Sequence, residues 1–140
     1  MDKRTIIMDH YNNPRNMKKI SDKNYLNENT SNASCIDNLD IYIKIENDVI
    51  MDMAFSGEAC AISVSSASIM TCNLIGKTIN EALEFLNNME AMLNNQPFNK
   101  DILNEAIVYE DTKHTSRKTC AWLPYAGLKK ILNNINVSNN

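Results

Sequence analysis

The sequence predicts an α+β protein in which a small antiparallel sheet packs against several helices. Two patterns carry this prediction: apolar and polar residues alternate over residues 39–55, and apolar residues recur at helical spacing over much of 59–135. A chain of 140 residues is long enough to bury one core without disulfides. Because no repeat or linker divides it, we predict a single domain over residues 1–140.

The first quarter of the chain has the weakest pattern. Apolar residues at 5–8 predict a short helix that ends at Asn12, Asn13 and Pro14. Residues 14–34 are polar, rich in asparagine and without a clear period. They therefore indicate an irregular surface segment with room for one short strand or turn.

Residues 39–55 predict an antiparallel hairpin. Its first strand has the alternating apolar residues Leu39, Ile41, Ile43 and Ile45. The pair Asn47-Asp48 supplies the turn. In the second strand the alternation predicts one face formed by Val49, Met51, Met53 and Phe55.

The rest of the chain predicts four helices. The small and apolar residues of 59–75 form the first, which Gly76 ends; its predicted stripe is Ile62, Ser66, Ile69 and Met70. Residues 78–81 match a capping box that begins a second helix, which runs to about Leu93. A short third helix at 101–108 and a polar connection at 109–116 precede a last helix at 117–135. We expect Pro124 near the first turn of that helix or at a kink, with Ala121, Leu128, Ile131 and Leu132 in the core.

Charge and hydropathy argue against two classes of partner. Fourteen Lys and Arg against seventeen Asp and Glu give a net charge of −3, which leaves no broad basic face for nucleic acid. No stretch approaches the roughly 20 apolar residues of a membrane span, and the start of the chain lacks a signal core. We therefore expect a cytoplasmic protein with reduced cysteines. We also expect the protein to be a monomer.

Three cysteines fall at the ends of predicted elements. Cys35 precedes the hairpin, Cys60 follows it, and Cys120 begins the last helix. Because a hairpin returns the chain to its starting end, Cys35 and Cys60 can meet, and Asp37 shares a face with Cys35 in an extended segment. Three thiolates and one carboxylate suit a tetrahedral Zn²⁺ ion. Spacing alone leaves two alternatives open: a metal site, or three unrelated buried thiols.

Two further residues have simpler interpretations. Cys72 falls in the middle of an apolar helix, where packing explains it without any chemistry. His114 precedes Cys120 by six residues and could replace Asp37 as a ligand, but a solvated loop histidine is the better explanation.

Six short segments, in order along the chain, carry a family pattern. They are residues 8–16 (MDHYNNPRN), 34–37 (SCID), 55–63 (FSGEACAIS), 65–71 (SSASIMT), 76–77 (GK) and 117–122 (RKTCAW). Together they resemble the SufU proteins, a branch of the IscU/NifU-type family of iron–sulfur cluster assembly. The distance along the chain from Cys60 to Cys120 is similar to that of the SufU branch rather than to the shorter IscU scaffolds.

The resemblance implies a SufU/IscU-like fold and a zinc site formed by Cys35, Asp37, Cys60 and Cys120. It also implies that the protein accepts sulfur from a SufS-type cysteine desulfurase and serves a downstream iron–sulfur scaffold. Cys35 would take the persulfide sulfur after a histidine of the partner replaces it on zinc. Arg117, one helical turn before Cys120, matches the family's functional arginine and would stabilise the negatively charged site.

Two other functions stay open. One is a scaffold on which a [2Fe–2S] cluster assembles at the same ligands. The other is a structural zinc adaptor without transfer activity. Three residues also depart from the family pattern, since Ile36 and Ala59 stand where glycine is usual and Thr119 stands where lysine is. Losing two glycines stiffens both ligand loops, so the departures bear on the transfer step more than on the ligands.

Overall fold

The computed structural model describes residues 2–32 and 36–138, and the side chains through residue 135. Within these ranges it contains α1 (Lys3–Asn12), β1 (Leu26–Ser31), β2 (Asn38–Glu46), β3 (Val49–Glu58), α2 (Ala61–Leu74), α3 (Ile79–Leu93), α4 (Lys100–Leu103) and α5 (Lys118–Ser138). A 3₁₀ helix, Asn104–His114, connects α4 to α5. The predicted α+β class is confirmed. None of the helices in the described ranges has the length and apolar character needed to cross a bilayer.

The sheet is antiparallel, with strand order β1-β2-β3. Asn47 and Asp48 form the predicted two-residue turn between β2 and β3, with φ of 52° and 62°. The segment after α1 covers part of the outer edge of β3. There the Lys18 amide donates to the Phe55 carbonyl at 2.8 Å, and the Phe55 amide donates to the Asn16 carbonyl at 3.1 Å. The irregular segment thus protects a strand edge before it forms β1.

The alternation predicted for β3 is interrupted by a β-bulge. The register between β2 and β3 shifts after Lys44, and Met51 has no opposite residue on β2. Met51 is 50% exposed, whereas the neighbouring Ile50 is fully buried. The prediction that Met51 shares a face with Met53 and Phe55 is therefore wrong, because an inserted residue reverses the alternation beyond it.

Helix α2 is buried on nearly all sides instead of along one stripe. All nine residues from 63 to 71 are buried. Its buried hydroxyl side chains donate to or accept from the elements around the helix; they are Ser63, Ser65, Ser66, Ser68 and Thr71. Cys72 is exposed, so its interpretation as a packing residue is wrong. The helix has no charged residue that would mark its solvent-facing side in the sequence.

The predicted capping box is confirmed at the start of α3. The Glu81 amide donates to Thr78 Oγ1 at 3.1 Å, and the Thr78 amide donates to the Glu81 carboxylate at 3.0 Å. The third predicted helix is shorter than expected, because α4 ends before Asn104, whose φ is 50°. The predicted polar connection is also wrong, since most of it continues the 3₁₀ helix and Tyr109 within it is fully buried.

Helix α5 places its predicted core residues inside. All four are buried, and they are Ala121, Leu128, Ile131 and Leu132. Pro124 lies within the helix, where it lacks the amide that would donate to the Cys120 carbonyl. The Ser63 hydroxyl of α2 donates to that carbonyl instead, at 3.0 Å. The next carbonyl, of Ala121, accepts from Ser66 at 2.7 Å.

A partly buried hydrogen bond between Tyr25 and Asp52 gives the stability of the fold a measurable dependence on alkaline pH. The Tyr25 hydroxyl donates to the Asp52 carboxylate at 2.5 Å. This bond, with burial and the charge of Asp52, raises the pKa of Tyr25 to about 12. A raised pKa means that the fold favours the neutral phenol. Its contribution to stability is therefore complete below pH 10 and is lost as pH rises through about 12.

We expect the Tyr25 ring resonances to titrate near pH 12 in the wild type. The Asp52→Asn variant removes the negative charge, so its Tyr25 should titrate closer to the ordinary value of 10. The Tyr25→Phe variant identifies the resonance. The difference in unfolding free energy between wild type and Tyr25→Phe should be constant below pH 10 and shrink above it. An unchanged titration in Asp52→Asn would contradict this assignment.

Candidate metal centre

Asp37, Cys60 and Cys120 meet at a point where three elements begin. Asp37 directly precedes β2, Cys60 is the N-cap residue of α2, and Cys120 lies in the first turn of α5. One side-chain ligand atom from each lies within 4.8 Å of the others. The predicted convergence of distant elements is therefore observed for these three residues.

The hairpin brings the first two members together. Asn38, the first residue of β2, pairs with Glu58, the last residue of β3. The residues just beyond this pair consequently lie side by side, and the Cys60 amide donates to Asp37 Oδ1 at 2.8 Å. Cys60 Sγ lies 3.6 Å from Asp37 Oδ2.

The Asp37 carboxyl is held in its charged form although it is only 1% exposed. Burial by itself acts to raise its pKa. Hydrogen bonds from the Cys60 amide, the Ser63 hydroxyl and the thiols of Cys120 and Cys60 outweigh burial and lower the pKa below 3.8. The cluster therefore presents a negative carboxylate at neutral pH, which favours a cation.

The Cys120 thiol behaves in the opposite way when no cation is present. Burial, followed by the hydrogen bond with Cys60 and the negative charge of Asp37, raises the pKa of Cys120 well above its usual value. A bound divalent cation reverses this preference, because thiol ligands bind metals as thiolates and lose their protons. Two sulfur donors and one carboxylate fit zinc, which takes both kinds of ligand in tetrahedral sites.

The other predicted site residues have different positions. Cys35 falls within residues 33–35, which lie outside the described residues. Arg117 is exposed in the turn before α5, and its amide donates to Thr115 Oγ1 at 3.1 Å. Among the described residues its guanidinium forms no ion pair. His114 is exposed, as predicted, but it is the last residue of the 3₁₀ helix instead of a loop residue, and it does not belong to the cluster.

The three departures from the family pattern surround the cluster. Ile36 is 81% exposed, and Ala59 packs partly buried against the core. Thr119 accepts from the Asn32 side chain at 3.1 Å and donates to the Ser116 carbonyl at 3.1 Å. The threonine thus connects the end of the β1 segment to the start of α5.

Sequence reasoning missed Ser63, which lies in the first turn of α2. Its hydroxyl oxygen lies 3.0 Å from Asp37 Oδ2 and 3.6 Å from Cys60 Sγ. A usable signal was present in Pro124, four residues after Cys120, because a proline there leaves the Cys120 carbonyl without its helical donor.

The fold and the cluster define an α+β protein with a buried site of thiols and a carboxylate, suited to zinc or to an iron–sulfur cluster. The chain belongs to the NifU-like N-terminal domain family, whose profile matches residues 2–117. The matched region contains Asp37 and Cys60 and ends three residues before Cys120.

Individual relatives agree with this assignment. The zinc-dependent sulfurtransferase SufU of Bacillus subtilis (strain 168) is 34% identical over 129 residues, which cover 91% of this chain and 86% of SufU. The iron–sulfur cluster assembly scaffold protein IscU of Thermotoga maritima is 31% identical over 130 residues, covering 92% and 91%. A crystal structure of a protein proposed as an iron–sulfur cluster assembly scaffold for the SUF system, from Fervidobacterium islandicum AW-1, superposes with a TM-score of 0.86 at 34% identity. It covers 91% of this chain and 93% of that one. The predicted SufU/IscU-like family and fold are confirmed.

Proposed function

We propose that this protein accepts persulfide sulfur from a SufS-type cysteine desulfurase and delivers it to a downstream iron–sulfur scaffold, with zinc bound at the cluster. The observation that carries the proposal is the convergence of Asp37, Cys60 and Cys120 within 4.8 Å. Similarity over 91% of the chain to a protein named as a zinc-dependent sulfurtransferase supports both the metal and the reaction.

Cys35 is the proposed fourth ligand and the sulfur acceptor. It precedes Asp37 by two residues, and two residues span at most about 7 Å of chain. The length of chain therefore permits the Cys35 thiolate to reach the cluster. Zinc sites are commonly four-coordinate, which leaves one position beside the three described donors. The reaction needs reduced thiols, which the cytoplasm maintains, and we propose that location.

Some groups of the protein position the ligands of the site, and another takes part in the reaction. The Cys60 amide and the Ser63 hydroxyl hold the Asp37 carboxylate in place. Zinc, when bound, would supply positive charge that keeps the cysteine ligands deprotonated. The Cys35 thiolate attacks the outer sulfur of the donor's persulfide, so that a new S–S bond forms on Cys35. The donor's own S–S bond breaks, and its cysteine leaves as a thiolate.

Arg117 is the proposed cation beside the reaction. Its side chain is exposed and lies one helical turn before Cys120. An exposed charge contributes little to folding, so its value here would be to offset the negative charge of the site when a partner covers it. Its substitution should consequently affect transfer more than stability.

A scaffold for a [2Fe–2S] cluster is the second candidate. The name of the Thermotoga maritima relative favours it, and cysteine-rich sites bind such clusters. Colourless protein with stoichiometric zinc supports transfer. Brown protein with stoichiometric iron and sulfide supports the scaffold.

The deciding experiment mixes the purified protein with a SufS-type desulfurase and cysteine, and measures sulfur on each cysteine by mass spectrometry. We expect the wild type to stimulate desulfurase turnover and to carry a persulfide on Cys35. The Cys35→Ser variant should fold and do neither, while Cys72→Ser, which changes an exposed cysteine, should behave as the wild type. Full stimulation by Cys35→Ser would remove the proposed acceptor. Zinc binding without any transfer by the wild type would leave the structural adaptor as the explanation.

A further inference from the structure

Ser63 contacts each described member of the cluster. The residue is fully buried. Its hydroxyl oxygen lies 3.0 Å from Asp37 Oδ2, 3.0 Å from the carbonyl oxygen of Cys120, and 3.6 Å from Cys60 Sγ. One side chain therefore connects the beginnings of β2, α2 and α5.

Pro124 makes the Cys120 carbonyl depend on this serine. In an uninterrupted helix that carbonyl would accept the amide of the residue four positions later, and here that residue is proline. Cys120 is only 4% exposed, so water is a poor substitute as donor. Among the residues that the structure describes, Ser63 provides the side-chain donor within hydrogen-bond distance.

A serine hydroxyl has one hydrogen and must serve two acceptors. At any moment it donates either to the Asp37 carboxylate or to the Cys120 carbonyl. The two distances are equal, so the hydroxyl serves both the ligand carboxylate and the backbone of the ligand cysteine.

We propose that Ser63 is a positioning residue that holds Asp37 and Cys120 at ligand distance. Its hydroxyl is shared between the Asp37 carboxylate and the Cys120 carbonyl, and it thereby keeps the start of β2 and the start of α5 together at the cluster. The inference rests on the proposed function only in that the cluster binds a metal ion, and it does not require sulfur transfer.

Ser66 provides a matched control. It is equally buried on α2 and donates to the next carbonyl of α5, that of Ala121, at 2.7 Å. We expect Ser63→Ala to bind zinc about 10- to 100-fold more weakly than the wild type and to release it faster to a chromophoric chelator. Cobalt-loaded Ser63→Ala should also show altered thiolate-to-metal absorption bands. Ser66→Ala should bind zinc and cobalt as the wild type does. Its urea unfolding midpoint should nevertheless fall by about as much as that of Ser63→Ala.

Pro124→Ala separates the two hydrogen bonds of Ser63 and provides a folded background if Ser63→Ala alone is unstable. The restored amide supplies a donor to the Cys120 carbonyl, so the double variant Ser63→Ala/Pro124→Ala tests the bond to Asp37. We expect the double variant to bind zinc at least about tenfold more weakly than Pro124→Ala. In Ser63→Thr, which keeps the hydroxyl, zinc binding should recover relative to Ser63→Ala.

Three results would overturn the role of Ser63. The first is that the double variant binds and releases zinc as Pro124→Ala does. The second is that Ser66→Ala loses as much zinc affinity as Ser63→Ala. The third is that the wild type binds no zinc. The proposed function alone would be overturned if the wild type bound zinc but transferred no sulfur, while Ser63→Ala bound zinc more weakly as expected.

Discussion

Replacing Cys60 with serine is expected to leave the purified protein without stoichiometric zinc. Zinc favours thiolate sulfur, and a serine hydroxyl stays protonated at neutral pH. Loss of groups that merely orient a ligand costs about 10- to 100-fold in metal affinity, so loss of the ligand should cost more than about 100-fold. Metal analysis after gel filtration and competition with a chromophoric chelator measure the effect.

The same substitution should not weaken the metal-free fold. Cys60 is the N-cap residue of α2 and makes no side-chain capping hydrogen bond. Serine is a preferred N-cap residue, so it should stabilise the helix start by about 1 kcal/mol. Urea unfolding of the metal-free proteins separates a lost ligand from a lost fold.

Cys72→Ser is the matched control for Cys60→Ser. Cys72 also lies on α2 but is exposed and outside the cluster. Its variant should retain stoichiometric zinc. If Cys60→Ser retained tightly bound zinc, the ion would have to use ligands other than Cys60.

The parts of the fold that follow from a strong local signal could be predicted. The hairpin follows from alternation with the Asn47-Asp48 turn, and α3 follows from the Thr78 capping box. The bulge at Met51 could not, because methionine suits either face of a strand and an inserted residue leaves no mark in the pattern. The 3₁₀ helix has no hydrophobic period of its own, and a polar sequence there was indistinguishable from a loop.

The metal site likewise has a part that could be predicted from local signals and a part that could not. Contact between Asp37 and Cys60 follows from hairpin geometry, because residues just beyond a terminal strand pair are neighbours. The position of Cys120 depends on how α5 packs against α2 across a long separation in sequence. Its spacing left a metal site and a buried thiol both open, and the family resemblance favoured the metal site. Ser63 was missed for a related reason. Pro124 shows that a carbonyl needs a donor, but the sequence alone does not show which buried hydroxyl provides it.

Gly57→Ala is expected to destabilise the fold by about 4 kcal/mol, since it combines backbone strain with a steric clash. Gly57 has φ of 125°, which residues with a side chain rarely adopt. An added Cβ would also collide with the carbonyl oxygen of Asn38 on the facing strand. Asn38 directly follows Asp37, so a separation of β2 from β3 at this point should also displace the carboxylate and weaken zinc binding.

Gly76→Ala isolates the strain from the collision. Gly76 also has a positive φ, of 91°, but an added Cβ there meets nothing within 4 Å. Strain alone should cost about 1–2 kcal/mol, and zinc binding should be unchanged because Gly76 follows the opposite end of α2 from Cys60. Urea unfolding of the metal-free variants gives the first comparison, and chelator competition gives the second. If both variants lost equal stability and kept equal zinc affinity, close approach of β3 to Asn38 would have no part in shaping the site.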